Sequence, residues 1–504
     1  MATTSLYPLT DKEELRKHYV GKSLNDIPAP AAIFDLSKLK NNCTRMLEAC
    51  EQLDFGWRAH IKTHKSYHVS ATIYVPADLF RQTTELTRLQ VGPTGPVNII
   101  VSTLIEAENI LPLLLEYKEH GRAVNLLYSF PISPTSNSTI QRLSVLAKGL
   151  GPHGLSLMID HPAQIPAIQA IRTHSGNAPD LFLKIDMGGH RAGVEPGSAV
   201  CNSLISSLLS LHSAGEIHLL GLYSHAGQSY SSTSRASALD FLRQEFEALL
   251  LVSISITSHP DSGVLSPEMP LVLSVGATPT TTSVRNLLIP DLETPAEEAK
   301  EIAALRATLK TIRDLGCKVE IHAGVYPTLD VQQLATHSLP TSGPHAMLTW
   351  SDLAFTVLAE VSSFYPNRGP GGSPEVLVGA GCIALGREPC KAYSGWGIVS
   401  PWGLPGAQTP TVGPEEYQGW IVTKASQEHG TLGWMGKWEG SGGGKTDALS
   451  DGSKEGIKIG ARIRIWPNHA CITGVGFGWY FVVDSTREGK EDEIIDVWPR
   501  WRGW

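Results

Sequence analysis

The feature that most constrains this chain is an alternation of short β-branched runs with amphipathic helical stretches over its first two-thirds. A first strand is expected at Ala31–Leu36, with Ser37 as N-cap of a helix that places Leu39, Cys43, Met46, Leu47 and Cys50 on one face. Eight strand segments follow: Trp57–Lys62, Asn98–Thr103, Val124–Phe130, Leu155–Asp160, Leu181–Asp186, His218–His225, Pro270–Gly276 and Lys318–Gly324. Helical stretches such as Ile105–Tyr117, Ala163–His174, Ala236–Leu251 and Glu297–Leu315 lie between them. Eight strands alternating with helices predict an α/β fold, a (β/α)8 TIM-type barrel.

From about Leu339 the texture changes. Glycine, proline and tryptophan rise, helical periodicity fades, and short strands are expected at Glu375–Gly379, Trp420–Thr423, Ala461–Trp466 and Tyr480–Val483. The predicted organisation is an N-terminal segment (1–28) packing on the β module, a barrel over 29–338, and a mainly β, metal-binding C-terminal domain over 339–504. The glycine-rich stretch EGSGGGKTDALSDGSKEG reads as a loop.

A chain of 504 residues can bury two or three full cores. Its net charge of −8 argues against a dedicated nucleic-acid or anionic-membrane surface. Seven scattered cysteines without a CxxC pair read as reduced thiols. The first 26 residues are polar and acidic, unlike a targeting peptide, and no apolar run approaches the roughly 20 residues of a membrane span. The expected location is the cytoplasm.

In an α/β barrel, chemistry gathers at the carboxyl ends of the strands. Those ends read WRAHIKTHK, LMIDHP, LKIDMGGHRAGV, GLYSHAGQSY, LSVGATPT and EIHAGVY. Any one of them alone is an ordinary polar loop; together they make one rim dense in histidine. Lys62 ends a strand, with His60 and His64 close by. Most lysines are surface groups with a snorkelling ammonium, but at a barrel mouth burial and neighbouring cations suit a lysine to Schiff-base chemistry. Lys65 competes for that role but lies beyond the strand end. Ser274–Thr278, with Gly276 and Ala277, and His322–Gly324 each place glycine at a strand end, where backbone N–H groups can converge on an anion. In PNHAC, His469 and Cys471 are two apart on what reads as an extended segment, so both would face one soft or borderline metal, zinc favoured.

The segments RAHIKTHK, VSTLIEAE, KIDMGGHRAGV, GLYSHAGQSY, SVGATPT, HAGVY, SQEHG, PNHAC and the terminal WRGW, in this order from Pro28 to Trp504, resemble the eukaryotic D-serine dehydratases. These are fold-type III pyridoxal-phosphate enzymes, similar to alanine racemase and D-threonine aldolase. The resemblance implies that Lys62 carries pyridoxal 5'-phosphate as a Schiff base and accepts the Cα proton. It implies cofactor contacts from Tyr223, Tyr230, Thr278, Gly324 and Val325, the last two through the phosphate. His225 matches a histidine near the cofactor ring, Arg191 an arginine near substrate or cofactor oxygens, and His469 and Cys471 the family's zinc ligands. The implied reaction is loss of water from D-serine to give pyruvate and ammonia, with Zn2+ activating the β-hydroxyl, in a homodimer acting on a small D-hydroxyamino acid.

Cys471 separates this pattern from the D-threonine aldolases, which resemble it but tend to have a carboxylate there. Two departures stand out. Residues 66–82, SYHVSATIYVPADLFRQ, interrupt the family pattern just after KTHK, and Val325 stands where asparagine is more usual. The alternatives are a related lyase on D-threonine or 3-hydroxyaspartate, and a non-catalytic pyridoxal-phosphate binder should 66–82 disable the site. Asp160, His161, Asp186, His190, Glu428 and His429 carry no assigned role.

Overall fold

The computed structural model describes residues 10–65, 85–265, 268–290, 294–402, 409–438 and 457–504. Residues 66–82 and the glycine-rich stretch therefore lie outside the described residues. The chain divides into two compact units: Cys43–Gly324 with Trp501–Trp504, and 10–42 with Val325–Arg500.

Strand β1 (Ala31–Asp35) belongs to the second unit. The first unit holds β2 (Gly56–His60), β3 (Val97–Val101), β4 (Val124–Tyr128), β5 (Leu155–Ile159), β6 (Asp180–Lys184), β7 (His218–Tyr223), β8 (Val272–Val275) and β9 (Lys318–Ala323). These eight close into a parallel barrel in sequence order, with β9 returning to β2 through Gly56↔Glu320 and Ala59↔Ala323. The predicted TIM-type barrel is the observed one. Its strands are legible because parallel strands covered on both faces read as unbroken apolar runs; every residue of β5 and β6 is buried. The helices supply the outer cover. In Arg235–Thr257, Ser234 accepts the Ser237 N–H as N-cap, and Ala238, Leu242, Leu249 and Val252 form the buried stripe.

The barrel interior is layered. Ile100, Leu127, Met158, Phe182 and Tyr223 pack together as one apolar cluster. The barrel also encloses a polar chain. Arg58, 2% exposed, donates to Glu320 Oε1 at 2.7 Å and to Asn125 Oδ1 at 2.7 Å. Asn125 Nδ2 donates to Asp180 Oδ2 at 3.2 Å. On the other side Ser274 Oγ donates to Glu320 Oε1 at 2.7 Å and lies 3.1 Å from His322 Nδ1. Breaking one partner of such a buried pair costs about 3–5 kcal/mol, because an uncompensated charge remains.

The second unit is built on a nine-stranded sheet. Its later strands are β10 (Phe355–Tyr365), β11 (Glu375–Val378), β12 (Gly397–Pro401), β13 (Gly419–Ala425), β14 (Gly430–Met435), β15 (Arg462–Pro467), β16 (Trp479–Val483) and β17 (Asp496–Pro499). The order is β11-β14-β13-β12-β15-β10-β1-β16-β17. Strand β1 pairs antiparallel with β10 (Ala31↔Leu358) and parallel with β16 (Ile33↔Phe481), so it belongs to this sheet. The units accordingly divide elsewhere than at the expected 29 and 338: residues 29–42 and 325–338 fall in the β unit. Of the N-terminal segment, Leu15, Leu24 and Ile27 pack with Phe481 and Val497, and Arg16 pairs with Asp496 at 2.7 Å. Ser37 is not a cap: the helix already begins at Leu36, and the Ser37 hydroxyl donates to Asp35 Oδ1 at 2.6 Å.

Candidate active site

The carboxyl ends of β2, β6, β7, β8 and β9 bring Lys62, Arg191, Tyr223, His225, Tyr230, Gly276–Thr278 and Gly324 to one mouth of the barrel. Lys62 is half-buried and sits two residues past β2. Its Cε lies 3.3 Å from where a Cβ on Gly324 would be, so the glycine keeps this side of the mouth open. The neighbouring lysine is engaged elsewhere: Lys65 Nζ pairs with Glu106 at 2.8 Å, and its carbonyl accepts the Trp501 N–H at 2.5 Å. His64 is directed to Gln90 Oε1 at 2.9 Å and supports the loop.

Three histidines crowd the mouth, all driven toward the neutral form. His60 is held well below its usual range by burial first and then by Lys62. It accepts the Lys62 N–H on Nδ1 at 3.4 Å and lies 3.2 Å from Ser102 Oγ through Nε2. His225 is likewise depressed, by enclosure among neighbouring atoms and then by Arg191 and Lys62. Because a carbonyl only accepts, His225 Nδ1 donates to Gly276 O at 2.7 Å, which leaves Nε2 as the basic nitrogen. His322 stacks on the Tyr223 ring (centroids 4.1 Å apart, planes at 12°) and is depressed by burial, then by Lys184 and Arg58.

Lys184, at the end of β6, is a buried cation at the mouth that the sequence motifs did not single out. It is 5% exposed, its ammonium lies 4.6 Å from the Tyr223 ring centroid, and burial followed by Arg191 brings its pKa down to about 8. Arg191 itself is exposed. With the histidines neutral, Lys62, Lys184 and Arg191 give the mouth a positive field suited to a ligand carrying phosphate or carboxylate.

Beneath the mouth lies Glu245, which no motif singled out either. This fully buried carboxylate accepts four hydrogen bonds: from Ser224 Oγ (3.0 Å), Ala226 N (2.8 Å), Gly276 N (3.2 Å) and Thr280 Oγ1 (2.9 Å). Burial nevertheless dominates and raises its pKa to about 7. It ties the β7 loop bearing His225 to the β8 loop bearing Gly276. The Gly276 amide is donated to Glu245 and the Ala277 amide to Thr280 Oγ1 at 2.9 Å. Gly276 is also required for close packing: a Cβ there would meet His322 O at 2.0 Å and Thr281 Oγ1 at 2.5 Å.

The remaining rim groups buttress loops. Asp160 accepts from Gln164 Nε2 and the Gly193 N–H, Asp186 from the Gly188 and His190 N–H groups, and His161 from the Ala163 N–H. Glu428 and His429 are exposed on the turn joining β13 and β14.

Val325, His469 and Cys471 belong to the second unit. The extended reading of PNHAC is corrected: β15 stops at Pro467, His469 is the N-cap of a helical turn, and Cys471 lies inside that turn (Ala470–Thr473). The turn is fixed from below by Asp330, which is fully buried and accepts the Ala470 N–H at 2.9 Å and the Gln333 N–H at 3.0 Å. Burial raises the Asp330 pKa, and the facing His469 opposes that shift. Cys471 is buried, and an imidazole and a thiol presented from one short turn are a donor set suited to zinc.

The mouth also fits pyridoxal phosphate by its own geometry. His322 Nε2 is buried without a hydrogen-bond partner among the described residues, and Gly324 keeps the side of the mouth beside Lys62 free of a Cβ. Comparison with known proteins agrees. The chain is 35% identical to a D-serine dehydratase of Schizosaccharomyces pombe, over 100% of this chain and 98% of the relative. It belongs to the D-serine dehydratase family. A second member, from Saccharomyces cerevisiae, is 30% identical over 97% of this chain and 100% of its own. Residues 354–483 match the family described as "Putative serine dehydratase domain", and residues 99–266 match the alanine racemase N-terminal domain. Among solved structures, D-threo-3-hydroxyaspartate dehydratase from Delftia sp. HT23 superimposes with a TM-score of 0.63 at 24% identity, covering 96% of this chain and 100% of its own. The family is enzymatic, of the dehydratase type, on the alanine racemase-like pyridoxal-phosphate fold. Among the described residues no helix is long and apolar enough to cross a membrane, and all seven cysteines stand outside any disulfide.

Proposed function

We propose that this chain is a pyridoxal-phosphate- and zinc-dependent D-serine dehydratase that removes water from D-serine to yield pyruvate and ammonia. The observation that carries this reading is full-length kinship with two D-serine dehydratases at 35% and 30% identity. Lys62, Tyr223, Tyr230, Thr278, Gly324 and Val325 would hold the cofactor, and His469 with Cys471 the metal. When bound, pyridoxal phosphate supplies an electron sink that acidifies the substrate Cα–H, and zinc supplies a Lewis acid for departure of the β-hydroxyl.

The chain's own residues do the rest. Lys62 Nζ accepts the Cα proton from the end of β2. Arg191 meets substrate or cofactor oxygens with a charge that also keeps Lys184 and His225 deprotonated more readily. His225, fixed through Nδ1, presents Nε2 in its neutral form. Glu245 holds the two loops that carry His225 and its carbonyl acceptor in register. We infer a homodimer, as the resemblance implies, and a cytoplasmic location, which the seven dispersed cysteines without a CxxC pair support.

Purified, cofactor-loaded protein should release pyruvate from D-serine and not from L-serine. Release should fall with a strong chelator and vanish in Lys62→Ala. A bound cofactor without pyruvate would redirect attention to the second reading, dehydration of D-threo-3-hydroxyaspartate. A relative of that name from Delftia, 27% identical over 96% of this chain, supports that reading. Absence of bound cofactor would overturn both.

A further inference from the structure

At the opposite mouth of the barrel, where the strands begin, lies a second group of potential ligands. His153 precedes β5, Asp180 opens β6 and His218 opens β7. Both imidazole Nδ1 atoms approach the same oxygen, Asp180 Oδ1, at 3.0 Å for His153 and 3.1 Å for His218, and one ligand atom from each residue falls within 4.8 Å of the others. Ligand atoms about 2.0–2.2 Å from an ion stand about 2.9 Å apart at right angles and about 3.4 Å apart at the tetrahedral angle. The two nitrogen–oxygen edges fall within that range. His153 is 58% exposed and can close the remaining edge by a rotamer change, whereas Asp180 and His218 are 3% and 12% exposed and set the site.

The surroundings are arranged for a ligand rather than for a chance contact. Asn125 Nδ2 donates both to Asp180 Oδ2 at 3.2 Å and to the His153 carbonyl at 2.9 Å, fixing the carboxylate and leaving Oδ1 for the ion. The nearby cations are engaged with other groups: Arg58 with Glu320, Arg122 with the carbonyls of Gly92 and Gly95, Arg313 with the Leu53 carbonyl and Lys118 with the Leu150 carbonyl. The cluster opens into a cavity of about 950 Å3 that gives an ion a path in.

We propose that His153, Asp180 and His218 form a second metal site, for a borderline divalent ion of the zinc and cobalt class. Two imidazoles and one carboxylate suit such an ion, and are poor for magnesium or calcium, which take oxygen ligands. Bound there, the ion links the segment before β5 to the first residues of β6 and β7. The site is independent of His469 and Cys471 and of the dehydratase reading.

The test is a metal count on the full-length holoprotein, dialysed against Zn2+ and measured by elemental analysis. The double variant His153→Asn/His218→Asn should hold one equivalent of zinc less than the wild type, and His469→Ala/Cys471→Ser should leave this equivalent in place. Asparagine is chosen at 153 because that residue has φ of +58°, a conformation asparagine tolerates. Zinc at about a hundredfold excess over its Kd should raise the Tm of the His469→Ala/Cys471→Ser protein by about 5 °C, and the rise should disappear when the two histidines are also replaced. If the double histidine variant does not fold, His153→Asn alone, at an exposed position, should weaken zinc binding at least tenfold. Equal zinc content in the wild type and His153→Asn/His218→Asn, or unchanged affinity in His153→Asn, would overturn the proposal.

Discussion

Glu245 gives the most searching test of how the mouth is built. It is fully buried, and its pKa stands at about 7 against an ordinary value of 4.5. Between those values the folded state holds a proton that the unfolded chain has lost, so stability must fall as pH rises through the window. The contribution is fully present below about pH 4.5 and is gone above about pH 7. One pH unit inside that window is worth about 1.4 kcal/mol, so between pH 5 and 8 the wild type should lose roughly 2.5 kcal/mol relative to Glu245→Gln, which does not titrate. Glutamine is the proper reference: its Oε1 can keep the Ser224, Ala226 and Gly276 donors, and Thr280 can reorient toward its amide. Chemical denaturation of both proteins across pH 5–8 gives the difference, and infrared difference spectra give the protonated carboxyl directly. A protonated-carboxyl band that appears only below pH 5, or parallel stability profiles for the two proteins, would refute the reasoning. Glu245→Ala strands two backbone N–H groups and two hydroxyls. At about 1–3 kcal/mol for each unsatisfied group, it should destabilise the barrel unit by several kcal/mol and release cofactor.

Three further outcomes follow from the same structure. Gly276→Ala drives a Cβ against His322 O, so the variant should lose stability and cofactor absorbance, while Gly149→Ala, in the helix Asn137–Leu150 with nothing within 4 Å of its Cβ, serves as a glycine control away from the mouth. Asp330→Ala removes the acceptor for Ala470 N and a helix N-cap; it should cost about 2–4 kcal/mol and weaken zinc at His469 and Cys471 by about ten- to a hundredfold, read by metal titration. Lys184 has a folded pKa lowered from 10.5 to about 8, so its penalty is full below pH 8 and relieved as pH rises toward 10.5; Lys184→Met should therefore gain stability relative to the wild type at pH 7, and the gain should shrink by pH 10.

The barrel was legible because each strand carries its own evidence, an apolar run between helical stretches. Strand β1 was legible as a strand but its sheet was not, since its partners Leu358 and Phe481 lie more than 300 residues away and only the pairing reveals which sheet it joins. In β10 the burial alternates at only some positions, and a bulge between Val361 and Ser363 interrupts the period, so the longest strand of the β unit left no clear pattern. The positions of Lys62 and His225 followed from strand ends. Lys184 and His322 stood in the quoted motifs, but burial, which sequence does not display, gives them their chemistry. Glu245 had a readable signal. It lies on the stripe Ala238, Leu242, Leu249, Val252, where a lone carboxylate on the apolar face of a helix announces a buried partner. The turn after Pro467 misled because two-residue spacing means a shared face only while the strand lasts.

The polar chain through the barrel, from Asp180 by way of Asn125, Arg58 and Glu320 to Ser274 and His322, has a consequence for how the family can diverge. Each member satisfies its neighbours, so any single apolar replacement strands a buried donor, acceptor or charge, although a wholly apolar barrel centre would be as stable. Descendants of this sequence can therefore exchange the chain only by several substitutions at once. Its members should be inherited or lost together, whatever happens to the substrate the mouth receives.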